Sequence, residues 1–183
     1  APFAFEAVSP VARSMPLRTG GFALALYPKA GLLDGSQAYN PWLQELPDPV
    51  TKTSWDNYVG MAPAAAAALG LKEGDLLRVR APEAETELPV LVQPGQHEQL
   101  LSVALGYGSR LSERFSKVGP EWLEGRPTPG TDGRVGKNAA PFLSLENGLL
   151  RDLRFGLSVE KTGKSHPLAR TQLYHSIHVP AGL

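Results

Sequence analysis

Gly106-Tyr107-Gly108-Ser109-Arg110 is the run whose residue types could do chemistry, because it closes a predicted strand with two glycines and a cation. Glycine lets backbone N–H groups approach an anion, and a guanidinium pairs with phosphate oxygens, so the run has the parts of a phosphate cradle. A turn with a packed tyrosine is the ordinary role of the same spelling, and the spacing alone favours it. The other candidates are thinner. His175 and His178 could share one helix face, but zinc takes a further protein ligand and none is near, so no metal site is expected. Ser176, His166 and Asp152 have the residue types of a hydrolase triad without a nucleophile elbow, and no catalytic residue is assigned. Glu83, Glu85 and Glu87 alternate at strand spacing, which predicts a solvated face rather than an acid–base pair.

The scaffold that must hold such a loop is clearest over residues 62–79. Pro63 suits a first helical turn, the alanines propagate a helix of about two turns at little entropic cost, and Gly70 can end it in the left-handed conformation. Leu69 and Leu71 are expected to pack under that turn. Glu73-Gly74-Asp75 predicts a second reversal into a strand through Leu76, Leu77 and Val79. The unit packs and carries no chemistry. Further strands are predicted at 21–27, 87–93, 100–105 and 153–159, with Pro89 placing the second of these at a sheet edge. Residues 29–54 read as an ordered excursion with a short helix at 42–46, and 119–136 as a Gly/Pro-rich insertion or surface loop. Aromatic residues in the 39–55 loop suit either a partner surface or a cap on the barrel end; capping is the more ordinary outcome, and it would bury Trp42 and Trp55. Short strands with one or two small helices indicate a mainly β barrel. Residues 1–20, with Pro2, Pro10 and Pro16 and no period, read as an arm or linker, and 21–183 as one barrel domain.

Composition narrows the partners. The chain has 183 residues, 42% of them apolar, with 18 acidic and 18 basic residues, so one sizeable core is expected and no electrostatic pull toward nucleic acid. Cysteine is absent, which excludes disulfides, thiol nucleophiles and cysteine-held clusters within this stretch. No segment approaches the roughly 20 apolar residues of a membrane span, so direct membrane insertion is not expected. A start at Ala1 without methionine suggests a piece of a larger polypeptide.

Several runs together resemble a known family: Tyr39-Asn40-Pro41-Trp42-Leu43-Gln44-Glu45-Leu46-Pro47-Asp48-Pro49, then Thr51, Trp55-Asp56-Asn57, the Ala-Leu-Gly-Leu-x-x-Gly-Asp unit, and Leu105-Gly106-Tyr107-Gly108. From residue 20 to residue 178 the chain resembles the C-terminal dinucleotide-binding domain of molybdopterin oxidoreductases (the DMSO reductase family). Within that group it looks most like the iron-sulfur and molybdopterin-type subunit of alternative complex III, a likeness that extends to Ala169-Arg170-Thr171-Gln172 and His175-Ser176.

This resemblance implies a double-psi β-barrel with short helices and long loops, in which two interlocked units close six strands without an edge. It implies a domain of a bacterial respiratory oxidoreductase that supports electron transfer from a quinol and does not turn over alone. The assembly would lie on the outer face of the cytoplasmic membrane. Its partners would be other domains of the parent polypeptide and subunits of a membrane respiratory complex, with iron-sulfur clusters carried only on the missing parts. The cofactor to consider is molybdopterin guanine dinucleotide, whose nucleotide end loops of this barrel help to hold, although the alternative complex III subunits keep the architecture without the pterin. The candidate contacts are Gly106, Tyr107, Gly108 and Arg110 of the glycine run, Asn138, whose loop the resemblance places facing the nucleotide, and Gln172. The asparagine amide suits a purine edge because it both donates and accepts. Two positions depart from the family pattern: the first loop, 27–31, has no Gly-Arg pair, and Ala62 stands where a Ser or Asn cap is usual. Such departures also suit a cofactor-free barrel that binds protein partners, as the N-terminal barrel of some AAA ATPases does.

Overall fold

The computed structural model describes residues 21–110 and 134–171. The arm at 1–20, most of the 119–136 insertion, and Gln172, His175, Ser176 and His178 lie outside the described residues.

Six strands close a mixed barrel: β1 (Phe22–Pro28), β2 (Val59–Met61), β3 (Asp75–Ala81), β4 (Ala84–Val92), β5 (Leu100–Leu105) and β8 (Leu153–Ser165), in the order β1-β5-β2-β4-β3-β8. β1 runs parallel to β5 and β2 parallel to β4, while the other neighbours are antiparallel. This mainly β, closed barrel is the expected architecture. Alternation along the strands fills the interior with Leu24, Leu26, Val59, Met61, Leu77, Val79, Leu88, Val90, Leu101 and Val103, all buried. A separate two-stranded hairpin, β6 (Ser144–Glu146) with β7 (Leu149–Arg151), turns through Asn147 and Gly148, both at positive φ.

Helix α1 (Pro41–Glu45) and helix α2 (Pro63–Ala68) both start with proline. Gly70 ends α2 at φ 61°, and the N–H of Leu71 donates to Ala66 O at 2.8 Å. Only Leu71 packs beneath the turn; Leu69 is exposed at the surface. Asp75 then opens β3, as the second reversal predicted.

Three expectations are corrected. Pro89 does not mark an edge, because β4 has β2 and β3 on its two sides; pairing with β2 begins one residue later, at Val59–Val90, so the proline stands just outside that ladder. Trp42 is 74% exposed, whereas Trp55 is buried. Asn40 caps α1 by accepting from the Trp42 N–H at 3.0 Å, and the helix buries Pro41 and Gln44, which turns Trp42 outward. The last barrel strand runs to Ser165 rather than Val159, since its first half pairs with β1 and its polar second half with β3.

Glu85 and Glu87 lie on the outer wall as expected, in ion pairs with Arg78 and Arg80 that Glu160 joins from β8; Glu83 pairs with Arg154. Exposed pairs of this kind hold little free energy, so the interior decides stability. Leu88 is 1% exposed. Replacing it with alanine is expected to lower unfolding stability in urea by about 2–5 kcal/mol, while Glu160→Ala leaves the midpoint nearly unchanged.

Candidate functional site

At one end of the barrel the loop before β2 buries an uncommon number of polar groups: Asp48, Thr51, Thr53, Ser54, Asp56 and Asn57. Polar groups taken from water must find partners. Asp48 Oδ1 accepts from the N–H groups of Val50 and Thr51 at 2.9 and 2.8 Å, and Thr51 Oγ1 lies 2.6 Å from the Tyr58 hydroxyl. Trp55 sits at φ 64°, in the left-handed region that large side chains rarely adopt, and its N–H donates to Gln44 O at 2.8 Å. Asp56 Oδ2 is 2.9 Å from His166 Nε2, which ties the end of β8 to this loop. The Asn57 amide reaches the opposite way, toward residues 104 and 137.

Lys29, which follows β1, is 3% exposed. Its Nζ donates to the Tyr107 hydroxyl at 2.8 Å and to Thr53 O at 3.3 Å. Burial pushes this lysine below its ordinary pKa, with Asp48 and Asp56 opposing. The Tyr107 phenol is pushed far up, by burial first and then by the charge of Asp56. Asp56 itself is raised above 3.8 by burial, against the His166 hydrogen bond and charge and the cations of Lys137 and Lys29. Thus the first loop, which lacks the expected Gly-Arg pair, spends its one cation inward on the tyrosine.

The residues expected to contact a cofactor stand beside this hub. Gly106, Tyr107, Gly108 and Arg110 follow β5, and the segment 134–138 returns alongside them: Gly108 N–H donates to Val135 O at 2.8 Å, Val135 N–H to Ser109 O at 3.1 Å, and Arg134 Nη1 to Gly108 O at 2.9 Å. Gly108 has φ 92°, and a Cβ there would stand 2.8 Å from both the Cβ and the N of Asn138, so the two loops touch. Tyr107 is buried among Leu32, Ala38, Trp55, Ala104 and Val135. It is therefore the packed tyrosine of the ordinary reading, and its hydroxyl is already engaged. Arg110, Lys137 and Asn138 are exposed. Asn138 Oδ1 accepts from the Ala140 N–H at 2.9 Å, so the group it most readily offers a ligand is its Nδ2 donor. The structure brings five of the six expected contacts together; Gln172 lies outside the described residues. Exposed cations and an amide donor on two touching loops are a donor set that fits an anionic dinucleotide.

Sequence reasoning missed Lys29 and the role of Asp56 and Asn57. Asp56-Asn57 was visible only as part of a familiar run, and nothing local marks Lys29 as buried. His166 pairs with Asp56 rather than with Asp152, which removes the notional triad, and the described residues contain no cluster of His, Asp and Glu able to hold a metal ion. Ala62 makes no side-chain cap bond to α2.

A family model described as the molydopterin dinucleotide binding domain matches residues 36–128, half of the chain, from the excursion before α1 to beyond β5. The chain belongs to this family. The matched span covers the polar loop before β2 and Gly106 to Arg110, whereas Lys29 precedes it and Lys137, Asn138, β8 and His166 follow it. No curated protein matches. Among solved structures, acetylene hydratase from Pelobacter acetylenicus is similar over 87% of this chain, at 19% identity and a TM-score of 0.47; the chain spans 20% of that protein's length. None of the helices in the described residues is long and apolar enough to cross a membrane.

Two outcomes follow for this dinucleotide-binding domain. Gly108→Ala is expected to displace Asn138, shifting the amide resonances of 136–140 while those of β3 and β4 stay in place. For Asp56, the raised folded pKa means that the folded state holds the proton more tightly than the unfolded chain, so this group's contribution falls as pH rises from about 4 through its folded value. The stability of the wild type relative to Asp56→Asn, measured in urea, should therefore decline as the pH is raised above about 4; an increase would contradict the burial of this carboxyl.

Proposed function

We propose that this chain is the C-terminal domain of a larger molybdopterin-oxidoreductase-like subunit and that it holds the guanine dinucleotide end of a pterin cofactor. The observation that carries the reading is the contact between Gly108 and Asn138, which sets Arg110, Lys137 and Asn138 at the surface of two adjoining loops. Arg110 and Lys137 would pair with the diphosphate, and the Asn138 Nδ2 would donate to the base. When bound, the cofactor supplies redox chemistry at a metal carried on other domains; the residues here bind and orient its nucleotide. Iron-sulfur clusters, the quinol site and the position on the outer face of a bacterial cytoplasmic membrane belong to the parent assembly in this proposal.

A second reading, a cofactor-free assembly module, is favoured by one feature. Leu33, Tyr39, Trp42, Leu46 and Val50 are all exposed on the excursion before β2. Aromatic and aliphatic side chains left in water suit burial against another domain of the parent polypeptide or a neighbouring subunit.

Titration of the full chain with GDP, followed by amide chemical shifts, separates the two readings. Saturable shifts confined to 106–110 and 136–138 are expected, with none for an equal concentration of phosphate. No local shift at millimolar GDP would leave the assembly reading in possession.

A further inference from the structure

We propose that Asn57 is the positioning residue that makes the two nucleotide-facing loops one unit, an inference that rests on the reading of those loops as a dinucleotide site. Asn57 is 1% exposed, and one side-chain amide makes three bonds to two remote segments. Its Nδ2 donates at 3.2 Å to the O of Ala104, the last residue but one of β5, and at 2.8 Å to Lys137 O. Its Oδ1 accepts from the Lys137 N–H at 2.9 Å. Both backbone groups of Lys137 are therefore held by a single residue, in the manner of a paired strand. That leaves the Lys137 and Asn138 side chains outside.

The residue before Lys137 is shaped to permit this. Gly136 has φ 61°, and a Cβ there would come to 2.7 Å from Asn57 Oδ1 and 2.6 Å from Tyr107 Cδ1. Only glycine lets the loop come so close to both the clamp and the tyrosine. Other side chains cannot replace the amide. Aspartate keeps the acceptor and the volume but loses both donor bonds and adds a charge, and alanine leaves three backbone groups without partners in a water-poor site. Asn57 touches no ligand in this scheme. It acts through Lys137 and Ala104, so a ligand that binds both loops would find them already in register.

The test uses the full chain with Asn57→Ala, which removes all three bonds, and with Gly136→Ala as a second variant that moves the loop off the clamp without changing it. Two readings are taken: amide hydrogen exchange without ligand, and GDP affinity. The expected result is exchange at Lys137 faster by about tenfold or more while β4 and β5 keep their protection, together with GDP affinity weaker by about tenfold. Leu88→Val, which lowers stability without touching either loop, should leave GDP affinity unchanged, whereas a merely structural role would move it too. Unchanged exchange and unchanged affinity in both variants would overturn the clamp. Faster local exchange in a protein whose wild type binds no GDP would overturn the nucleotide reading, and with it the positioning role, while the hydrogen bonds themselves would stand.

Discussion

The barrel end depends on one constraint: polar side chains removed from water need hydrogen-bond partners, and those they find lie on several separate parts of the chain, while the Thr53 hydroxyl is left without one among the described residues. Asp48 satisfies its own loop, Asp56 reaches His166 beyond β8, Asn57 reaches Ala104 and Lys137, and Lys29 comes in from β1 to Tyr107 and Thr53. All but the first of these links join segments far apart in sequence. An unmade bond at such a site costs more than the made one contributes, so the hub specifies one arrangement of the loops around it. The apolar interior supplies stability, and the hub supplies geometry.

That division explains what the amino-acid sequence made legible. Helix α2 and the strand after it could be read because each step is local: proline at the start, alanines through the turns, a left-handed glycine at the end, a second reversal before Asp75. The closed barrel followed from the strand count and from the family likeness. Trp42 and Pro89 misled because their environments are decided by tertiary contacts. Trp42 points outward only because Pro41 and Gln44 are the buried face of α1, and Pro89 is tolerated in an interior strand only because β2 begins to pair one residue later. Lys29 is the sharpest case. A lysine after a strand-ending proline reads as a surface charge, and nothing nearby in sequence discloses the tyrosine that receives it.

The candidate site was half legible. Glycines around Tyr107 could be noticed in the sequence; the tyrosine is packed, and Gly108 permits close approach of the neighbouring loop. What remains for a ligand is the exposed rim formed by Arg110, Lys137 and Asn138. A rim of cations and one amide has no chemistry of its own. It suits a domain that orients part of a cofactor while the reacting centre sits elsewhere, and the exposed aromatic excursion is consistent with such a domain resting against a larger parent.

In the proposed reading a nucleotide lies across the two loops joined by Asn57. Photocrosslinking of the full chain with an azido-guanosine diphosphate, mapped by peptide mass spectrometry, tests it most directly. Adducts in 106–110 and 136–138, competed away by unmodified GDP, are expected. Adducts confined to the Trp42 excursion or spread without competition over the outer wall would contradict it.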